Sequence, residues 1–515
     1  MMGTRTLNRK GWLWPAAVAA LAFALRLINL GGRPIWYDEA FSVLFGEKSL
    51  ATMFAGTVTP VDGAAADVHP LFYYSILHGW MALWGQSPAA VRLLSVLIGV
   101  ATVVVSYLLG RRLFGRNAGL AAAVITALAP FHVYYSQEAR MYALLGLAAL
   151  ATTLFLVRAW GDGGWPNWVA FAVSGAVTMY AHNLGALFVA ALALWILYAW
   201  WRARRPVHLR SLLLSHLLMA LLFSPWLLIV PSQLGKIEQA YWVTRPGITE
   251  IVQTLLIFHF AYDNQALPPW LLPPVLLLSL LILALLALEL ARRRPAVDPD
   301  RFSHPYALLL FLTAGPPLLA FLISQVRPIY IVRALLPSAL IYYVLVGGVL
   351  VAGRTPRVLK WGIWLPALAI AALSLFNHYT YAGFPRAPFD QAAAFLRADG
   401  DSAAIVHSNK LTFLPTHYRD RALPQSFIAD EPGSPADTLA PPTQQALGIS
   451  ATADLETAVG EQDRVYLVLF EQAREEFTAA GREHPHLEWM REHYRPADVH
   501  TFGDLLIYEF AAPPS

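Results

Sequence analysis

Long apolar runs constrain this chain more than any other feature of its sequence. They recur from residue 11 to residue 379, and each is about 17–22 residues long, enough to cross a hydrocarbon layer of roughly 30 Å at about 1.5 Å per residue. Hydrophobic residues make up 57% of the chain and charged residues 14%, against roughly 45–50% and about 25% in soluble domains. The sequence therefore predicts a mainly α-helical, polytopic membrane bundle.

The apolar runs also predict where the domains lie. Eleven spanning helices are expected, at 11–30, 88–110, 117–136, 139–157, 166–181, 184–201, 211–230, 270–290, 305–324, 334–352 and 362–379. The runs stop near Pro385, so we expect a transmembrane domain over 1–384 and a soluble domain over 385–515. In the soluble part, strands are predicted at 403–408, 465–470 and 504–510, with helices at 388–398, 471–480 and 485–494. This mixture predicts a small α/β domain.

A short aromatic-rich segment, 71–85, decides the predicted topology. If it is an interfacial helix and not a span, the basic loops at 111–116, 202–205, 292–294 and 354–360 all fall on one side, which the positive-inside tendency makes cytoplasmic. The N-terminus is then cytoplasmic and the C-terminal domain extracytoplasmic, in a plasma or inner membrane. The first 30 residues resemble a signal peptide but lack an evident cleavage site, so we expect a retained helix. Residues 248–260 are a second candidate surface helix.

Composition disfavours several classes of function. Cysteine is absent, so no disulfide framework or thiolate chemistry is available. The net charge of +4 is explained by basic inner loops and does not indicate a nucleic-acid partner. No Gly-rich phosphate loop occurs, which argues against an ATP-driven pump. Asp298 and Asp300 form an Asp-x-Asp pair, but a lone pair of this kind is a weak match to a metal–nucleotide-sugar site.

Polar residues collect at the predicted outer ends of the helices. They are Asp38, Glu39, Asp67, His69, Gln137, Glu138, Arg140, His182, Asn183, Arg327, Tyr330 and Arg333. A charge at the bilayer centre costs roughly 2.5–3.5 kcal/mol on insertion scales, so charges at helix ends favour a polar cavity that opens outward. Each residue also has a simpler explanation, such as an acid at a helix N-terminus or an arginine that snorkels to the interface. Only their coincidence on one side indicates a site.

The outer side also restricts the chemistry. An enzyme there has no nucleotide supply, so an activated group must arrive on a lipid carrier. Arginines at the membrane surface fit a lipid phosphate, because guanidinium binds phosphate oxygens in bidentate fashion.

Four segments together resemble a known family: YDEAFSV at 37–43, DVHP at 67–70, RLLSVLIGVATVVVSYLLGRRLFG at 92–115, and YYSQEARMYAL around Glu138. They are similar to glycosyltransferase family 39, in its bacterial dolichyl-phosphate-mannose-protein mannosyltransferase-like branch, which is related to the aminoarabinose transferases of lipid A. The resemblance is clearest over 33–200 and continues through 327–337. It implies a C-type glycosyltransferase fold. It also implies transfer of a sugar, with inversion, from a polyprenyl-phosphate carrier to an extracytoplasmic lipid, glycan or protein acceptor.

The resemblance also implies residue roles. Asp38 matches the catalytic acid, which acts as base on the acceptor hydroxyl, while Glu39 orients the acceptor or its loop and His69 positions substrate. The candidate ligands of the donor phosphate are Arg140 and Arg333, with Arg92, Arg327 and Tyr330 behind them. Candidate substrate contacts are Glu138, Tyr142, His182 and Asn183. No cofactor or metal is expected, although Glu39 and His69 would offer one weak cation site.

The sequence departs from its relatives at two motifs. Phe41 and Ser42 stand where the aminoarabinose transferases carry a basic residue, and Leu71 and Phe72 replace a proline and a lysine of the mannosyltransferase motif. Two other functions stay open: a transporter of lipid-linked glycans, and an oligosaccharide ligase or polymerase. A transporter should carry polar residues through the midplane and show related halves. The spans here are largely apolar, and no half-repeat is evident.

Overall fold

A computed structural model describes residues 12–203, 209–239, 242–262, 267–292, 304–352, 356–380, 387–399 and 403–513. Asp298 and Asp300, with parts of the basic loops at 202–205, 292–294 and 354–360, lie outside these residues. The described chain forms two compact units. The first unit comprises Met1–Leu30, Arg92–Leu228 and Val243–Gly383, and the second comprises Gly31–Val91, Ile229–Trp242 and Phe384–Ser515.

The first unit is helical. Its helices are α1 (Leu13–Leu27), α5 (Pro88–Phe114), α6 (Arg116–Leu128), α7 (Pro130–Ser136), α8 (Tyr142–Asp162), α9 (Trp165–Ala181), α10 (Gly185–Ala203), α11 (Leu209–Leu227), α13 (Ile248–His259), α14 (Leu272–Ala291), α15 (Pro305–Ser324), α16 (Leu336–Ala352) and α17 (Arg357–Thr380). Each of the eleven segments predicted to span the membrane coincides with one of these helices or, at 117–136, with two of them. The polytopic helical membrane fold is confirmed.

Seven helices in the described ranges are long and apolar enough to cross a membrane, or eight if the bent pair α6–α7 counts as one span. Three shorter apolar helices add to these: α1, Gly185–Trp201 within α10, and α13. The total of eleven membrane spans therefore stays a prediction, as does the orientation of the termini. Among these candidate spans, α8 and α16 are the most enclosed. In their most apolar 18-residue stretches 78% and 89% of the residues are buried, against 33% in α14.

The predicted span 117–136 is broken. The axes of α6 and α7 meet at 62°, and the intervening Ala129 is extended, with φ −63° and ψ 118°. Pro130 causes the break, because its ring disfavours helical backbone at the preceding residue and it has no N–H for the carbonyl of Thr126. Hydropathy did not reveal the break because the apolar run continues through the proline.

Small residues set the helix packing beside this break. A side chain at Gly119 would place its Cβ 2.6 Å from the carbonyl oxygen of Tyr107, and one at Gly347 would place it 2.6 Å from the Ala122 nitrogen. Glycine therefore lets α6 contact α5 and α16 at backbone distance, which is a common way to pack helices in membranes.

The second unit combines short loop helices with the C-terminal domain. Its helices are α2 (Tyr37–Gly46), α3 (Leu50–Val58), α4 (Phe72–Trp84), α12 (Val230–Gln239), α18 (Phe389–Asp399), α19 (Lys410–Arg419), α20 (Pro441–Leu447), α21 (Leu455–Val459), α22 (Glu471–Ala479) and α23 (Pro485–His493). At about 20 Å, α4 is short for a span, as expected for the segment predicted to be interfacial. Hydropathy grouped these loops with the membrane domain, whereas packing groups them with the tail. The predicted division at 384/385 stays a prediction.

A mixed sheet organises the C-terminal domain. A hairpin of β1 (Pro60–Val61) and β2 (Ala64–Ala65) lies apart from it, and the sheet itself contains β3 (Ala404–His407), β4 (Gln425–Phe427), β5 (Arg464–Phe470), β6 (Arg495–Phe502) and β7 (Leu505–Ala511) in the order β4-β3-β5-β7-β6. Strands β4, β3 and β5 run parallel to one another, and β7 pairs antiparallel with both β5 and β6. Residues alternate along β5 between two apolar clusters: Leu467 packs with Met490 of α23, and Tyr466 with Leu396 of α18. The predicted α/β domain is confirmed.

Candidate active site

The acid pair lies in the first turn of α2. Trp36, the residue before the helix, is extended and gives no side-chain cap, so the acids complement the helix dipole at an otherwise uncapped end. Their surroundings differ, because successive residues project about 100° apart around a helix. Glu39 is fully buried, whereas Asp38 is partly exposed. The turn thus presents one accessible carboxylate, Asp38, which suits a base for a substrate hydroxyl.

A second acidic group in the same unit forms a dyad. The Oδ1 atom of Asp67 accepts from the backbone N–H of His69 at 2.7 Å and contacts the Nδ1 of the same residue at 2.8 Å. With Nδ1–H donating to the carboxylate, the neutral imidazole presents Nε2 as its acceptor. Gln233 of α12 donates to the Asp67 backbone carbonyl at 3.0 Å. A residue far along the chain therefore holds the turn that carries His69.

In the first unit, a cation lies against an aromatic cluster. The Arg333 guanidinium carbon is 5.4 Å from the centroid of the Tyr142 ring, within the range of a cation–π interaction. The Tyr142 ring also packs against Tyr135 at 5.1 Å and His182 at 5.9 Å. Glu138 lies in the turn before α8 and is 1% exposed. The structure therefore brings together three residues that the sequence predicted separately: Tyr142, His182 and Arg333.

The other predicted arginines differ in burial. Arg140 lies in the turn between α7 and α8 and is 2% exposed. Arg92 is fully buried on α5 and donates from Nη1 to the Leu30 carbonyl at 2.9 Å, so part of its hydrogen-bonding capacity secures the chain after α1. Arg327 follows α15, where its backbone N–H reaches the Ile323 carbonyl and its side chain is partly exposed. Arg140 and Arg333 are thus the arginines most closely associated with the start of α8.

Tyr330 has a defined partner. Its hydroxyl lies 2.8 Å from Oγ1 of Thr254, and the Thr254 hydroxyl donates to the Glu250 carbonyl at 2.7 Å. The Thr254 hydrogen is therefore in use, so the tyrosine is the donor to Thr254. Burial raises the pKa of Tyr330, which keeps the hydroxyl protonated. In this arrangement Tyr330 has no second hydrogen to donate to a phosphate.

His182 and Asn183 secure the turn between α9 and α10. The Nδ1 atom of His182 accepts from the Leu184 backbone N–H at 3.1 Å, and Oδ1 of Asn183 accepts from the Trp226 indole at 3.2 Å. A substrate role for either residue stays a prediction. No group of three or more His, Cys, Asp or Glu side chains within the described ranges is arranged to hold a metal ion.

Several residues around the site were missed or left without a role. No sequence pattern indicates a role for Tyr135, Gln233 or Thr254, and Asp67 stands out only as a polar loop residue. Sequence spacing offers no signal for them, because Gln233 and Thr254 act on partners far away in the chain. For Asp67, the Asp-x-His spacing two residues apart was a usable local signal.

The fold and part of the sequence match known proteins. The chain aligns with ArnT from Cupriavidus metallidurans in the apo state at a TM-score of 0.63 and 14% identity, over 97% of this chain and 98% of that one. Residues 68–229 match the model of the dolichyl-phosphate-mannose-protein mannosyltransferase family. The chain has the C-type glycosyltransferase fold. The predicted resemblance, fold and enzyme class, a membrane glycosyltransferase, are confirmed.

Two further structures share this glycosyltransferase fold. ArnT from Cupriavidus metallidurans bound to undecaprenyl phosphate matches at a TM-score of 0.58 and 14% identity, with 97% of this chain and 98% of that one covered. The Archaeoglobus fulgidus oligosaccharyltransferase tethered with an acceptor peptide matches at 0.50 and 13% identity, with 98% and 75% covered. No curated protein sequence matches the chain. The segment that matches the family model includes His69 and Arg140 but neither Asp38 nor Arg333.

Proposed function

We propose that this membrane glycosyltransferase moves a sugar, with inversion, from a polyprenyl-phosphate carrier to a hydroxyl of an extracytoplasmic lipid, glycan or protein. The observation that carries the proposal is the cationic cluster at the start of α8, where Arg333 stacks on Tyr142 and Arg140 is buried two residues earlier. A low-dielectric environment strengthens the attraction between fixed cations and an anion. The planar guanidinium matches the geometry of phosphate oxygens and binds them in bidentate fashion.

The fold supports a lipid-linked donor. ArnT, whose fold this chain shares, binds undecaprenyl phosphate, a polyprenyl phosphate of the class proposed here. The predicted topology supports an outer-side reaction, because the positive-inside tendency makes the N-terminus cytoplasmic and the C-terminal domain extracytoplasmic. On that side the sugar must come from a carrier lipid and not from a soluble nucleotide.

The residues then divide the reaction between them. As the bond from the sugar anomeric carbon to the phosphate oxygen breaks, that oxygen keeps the electron pair and the phosphate gains negative charge. Arg140 and Arg333 stabilise this charge more in the transition state than in the ground state. The acceptor oxygen attacks the anomeric carbon from the opposite face, and its proton passes to the Asp38 carboxylate. Such base catalysis is worth roughly 10²–10⁴-fold.

Direct transfer tests the proposal. Full-length protein in lipid nanodiscs is incubated with a series of polyprenyl-phosphate sugars and candidate acceptors, and products are detected by mass spectrometry. Glycosylated product with inverted anomeric configuration, assigned by NMR, is the expected result. Movement of intact donor across sealed vesicles without any product would instead indicate a transporter. Transfer that requires a preassembled oligosaccharide donor would indicate a ligase or polymerase.

A further inference from the structure

A buried arginine occupies the break between α6 and α7. Arg26 of α1 is fully buried. Its Nη1 donates to the carbonyls of Ala22 at 3.0 Å and Ala127 at 3.2 Å, and its Nη2 lies 3.5 Å from the Thr126 carbonyl. The carbonyls of Thr126 and Ala127 lie at the end of α6, where the break removes intrahelical donors, and they carry the negative end of the helix dipole. The guanidinium therefore caps the helix end that Pro130 created.

A glutamine secures the far end of α7. Gln137 follows the helix directly, and its Nε2 donates to the carbonyls of Arg26 at 2.9 Å and Ile28 at 2.8 Å. Because both amide hydrogens point to carbonyls, Oε1 is the acceptor that meets Nε2 of His378 at 2.6 Å. That histidine nitrogen must then carry the hydrogen. One side chain thus joins the chain at the end of α1, α7 and α17.

This network lies immediately before the cationic cluster. Gln137 is followed directly by Glu138, and Arg140 is three residues along the chain, so the backbone that Gln137 fixes is the start of the α7–α8 turn. Hydrogen bonds are directional, so they hold a bend in one geometry more closely than apolar packing does. A bend held only by apolar contacts would leave the turn free to shift. Here Nη2 of Arg26 lies 2.8 Å from Nδ1 of His132 near the start of α7, and Gln137 is bonded to α1 and α17 at its end.

We propose that Arg26 and Gln137 are positioning residues of the donor site: by holding both ends of α7 they fix the turn that presents Arg140 to the carrier phosphate. The proposal rests on the proposed function, because it assigns the donor phosphate to this turn. Neither residue touches the donor. Their effect on donor binding passes through Arg140.

Undecaprenyl phosphate binding to full-length protein in nanodiscs, followed by tryptophan fluorescence, tests the assignment. Gln137→Met keeps the volume and removes all three hydrogen bonds. It should weaken affinity roughly ten-fold, since misplacing a binding group by about 1 Å can cost up to about 10²-fold. Tyr379→Phe is the matched control, because it removes a bond from α17 to the Leu25 carbonyl of α1 without touching α7. Its affinity should change less than two-fold.

A double-mutant cycle separates positioning from general stability. If Gln137 acts through Arg140, adding Gln137→Met to Arg140→Ala should cause little further loss, whereas a purely structural effect would add in full. Full additivity, or unchanged affinity in Gln137→Met, would overturn the inference. If Gln137→Met does not fold, His378→Phe is the deciding variant, because it removes one of the three hydrogen bonds of Gln137 and keeps an aromatic ring at residue 378. Unchanged affinity for undecaprenyl phosphate in His378→Phe would also overturn the inference. Arg140→Ala with wild-type affinity would instead refute the donor assignment.

Discussion

The candidate residues fall into a cationic half in the first unit and an acidic half in the second, and the two halves differ in how much they are enclosed. In the first unit, Glu138, Arg140 and Tyr142 are at most 2% exposed. In the second unit, Asp38 and His69 keep part of their surface accessible. Low dielectric strengthens the attraction between fixed cations and an anion, so burial suits the recognition of a phosphate. A base must meet a hydroxyl that arrives from outside, so partial exposure suits Asp38.

The two halves also differ in construction. The cationic half draws on segments distant in sequence, since Arg333 reaches Tyr142 and Tyr330 is held by Thr254. The acidic half is built mostly from local geometry: one helix turn for Asp38 and a three-residue turn for the Asp67–His69 dyad. We therefore expect substitutions in the first half to change donor affinity and those in the second to change turnover.

The largest expected effect concerns Asp38. Asp38→Asn removes the proton acceptor while keeping the size of the side chain, so turnover should fall by roughly 10²–10⁴-fold. Affinity for undecaprenyl phosphate should stay within two-fold of wild type. Steady-state transfer rates and fluorescence binding, measured on the same preparation, check the two expectations. Turnover equal to wild type would remove Asp38 from the chemistry, and lost donor affinity would contradict the division of roles.

The next effect concerns the cationic half. Arg140→Ala and Arg333→Ala should each weaken undecaprenyl phosphate binding about 10- to 100-fold, since hydrogen bonds to charged groups contribute about 1.5–3 kcal/mol. Arg333→Lys should recover only part of the loss, because a lysine keeps the charge but loses the planar contact with Tyr142.

Arg158 provides the matched control for this prediction. It lies on the same helix as Tyr142, and its guanidinium carbon is 6.0 Å from the Phe155 ring centroid. Arg158→Ala thus removes a comparable cation–aromatic contact with no predicted role in the site. Affinity that falls equally in Arg158→Ala and Arg333→Ala would show that the loss reflects helix packing and not phosphate recognition.

The sequence predicted the helical scaffold well, because an apolar run of spanning length has few other stable structures in lipid. It also selected Asp38, Arg140 and Arg333 through the family resemblance. It did not predict the break at Pro130 or the contact between Thr254 and Tyr330. The break lies inside a continuous apolar run, in which hydropathy does not register the proline. The contact depends on a hydrogen bond between residues 76 positions apart in the sequence. Likewise, β6 escaped prediction because its exposed, polar residues give no apolar alternation.

A smaller effect is expected for the dyad. Asp67→Asn keeps a hydrogen-bond acceptor for Nδ1 of His69 but removes the charge. We expect turnover to fall about ten-fold, the equivalent of weakening a charged hydrogen bond by about 1.5 kcal/mol. Gln233→Met, which frees the Asp67 carbonyl, should lower turnover less. Transfer rates at saturating donor check both, and a loss of donor affinity without a change in turnover would place the dyad in the binding half.

The smallest effect is expected for Tyr330, whose hydroxyl bonds to Thr254 and whose role as a phosphate ligand stays a prediction. Its hydroxyl hydrogen is committed to Thr254, so Tyr330→Phe should leave undecaprenyl phosphate affinity within two-fold of wild type. The variant loses one buried hydrogen bond, which costs about 0.5–1.5 kcal/mol and should slightly lower the midpoint of thermal unfolding. Thr254→Val should lower the midpoint by a similar amount and also leave affinity unchanged. A ten-fold loss of affinity in Tyr330→Phe but not in Thr254→Val would mean that the tyrosine leaves Thr254 when the donor binds and belongs to the cationic half after all.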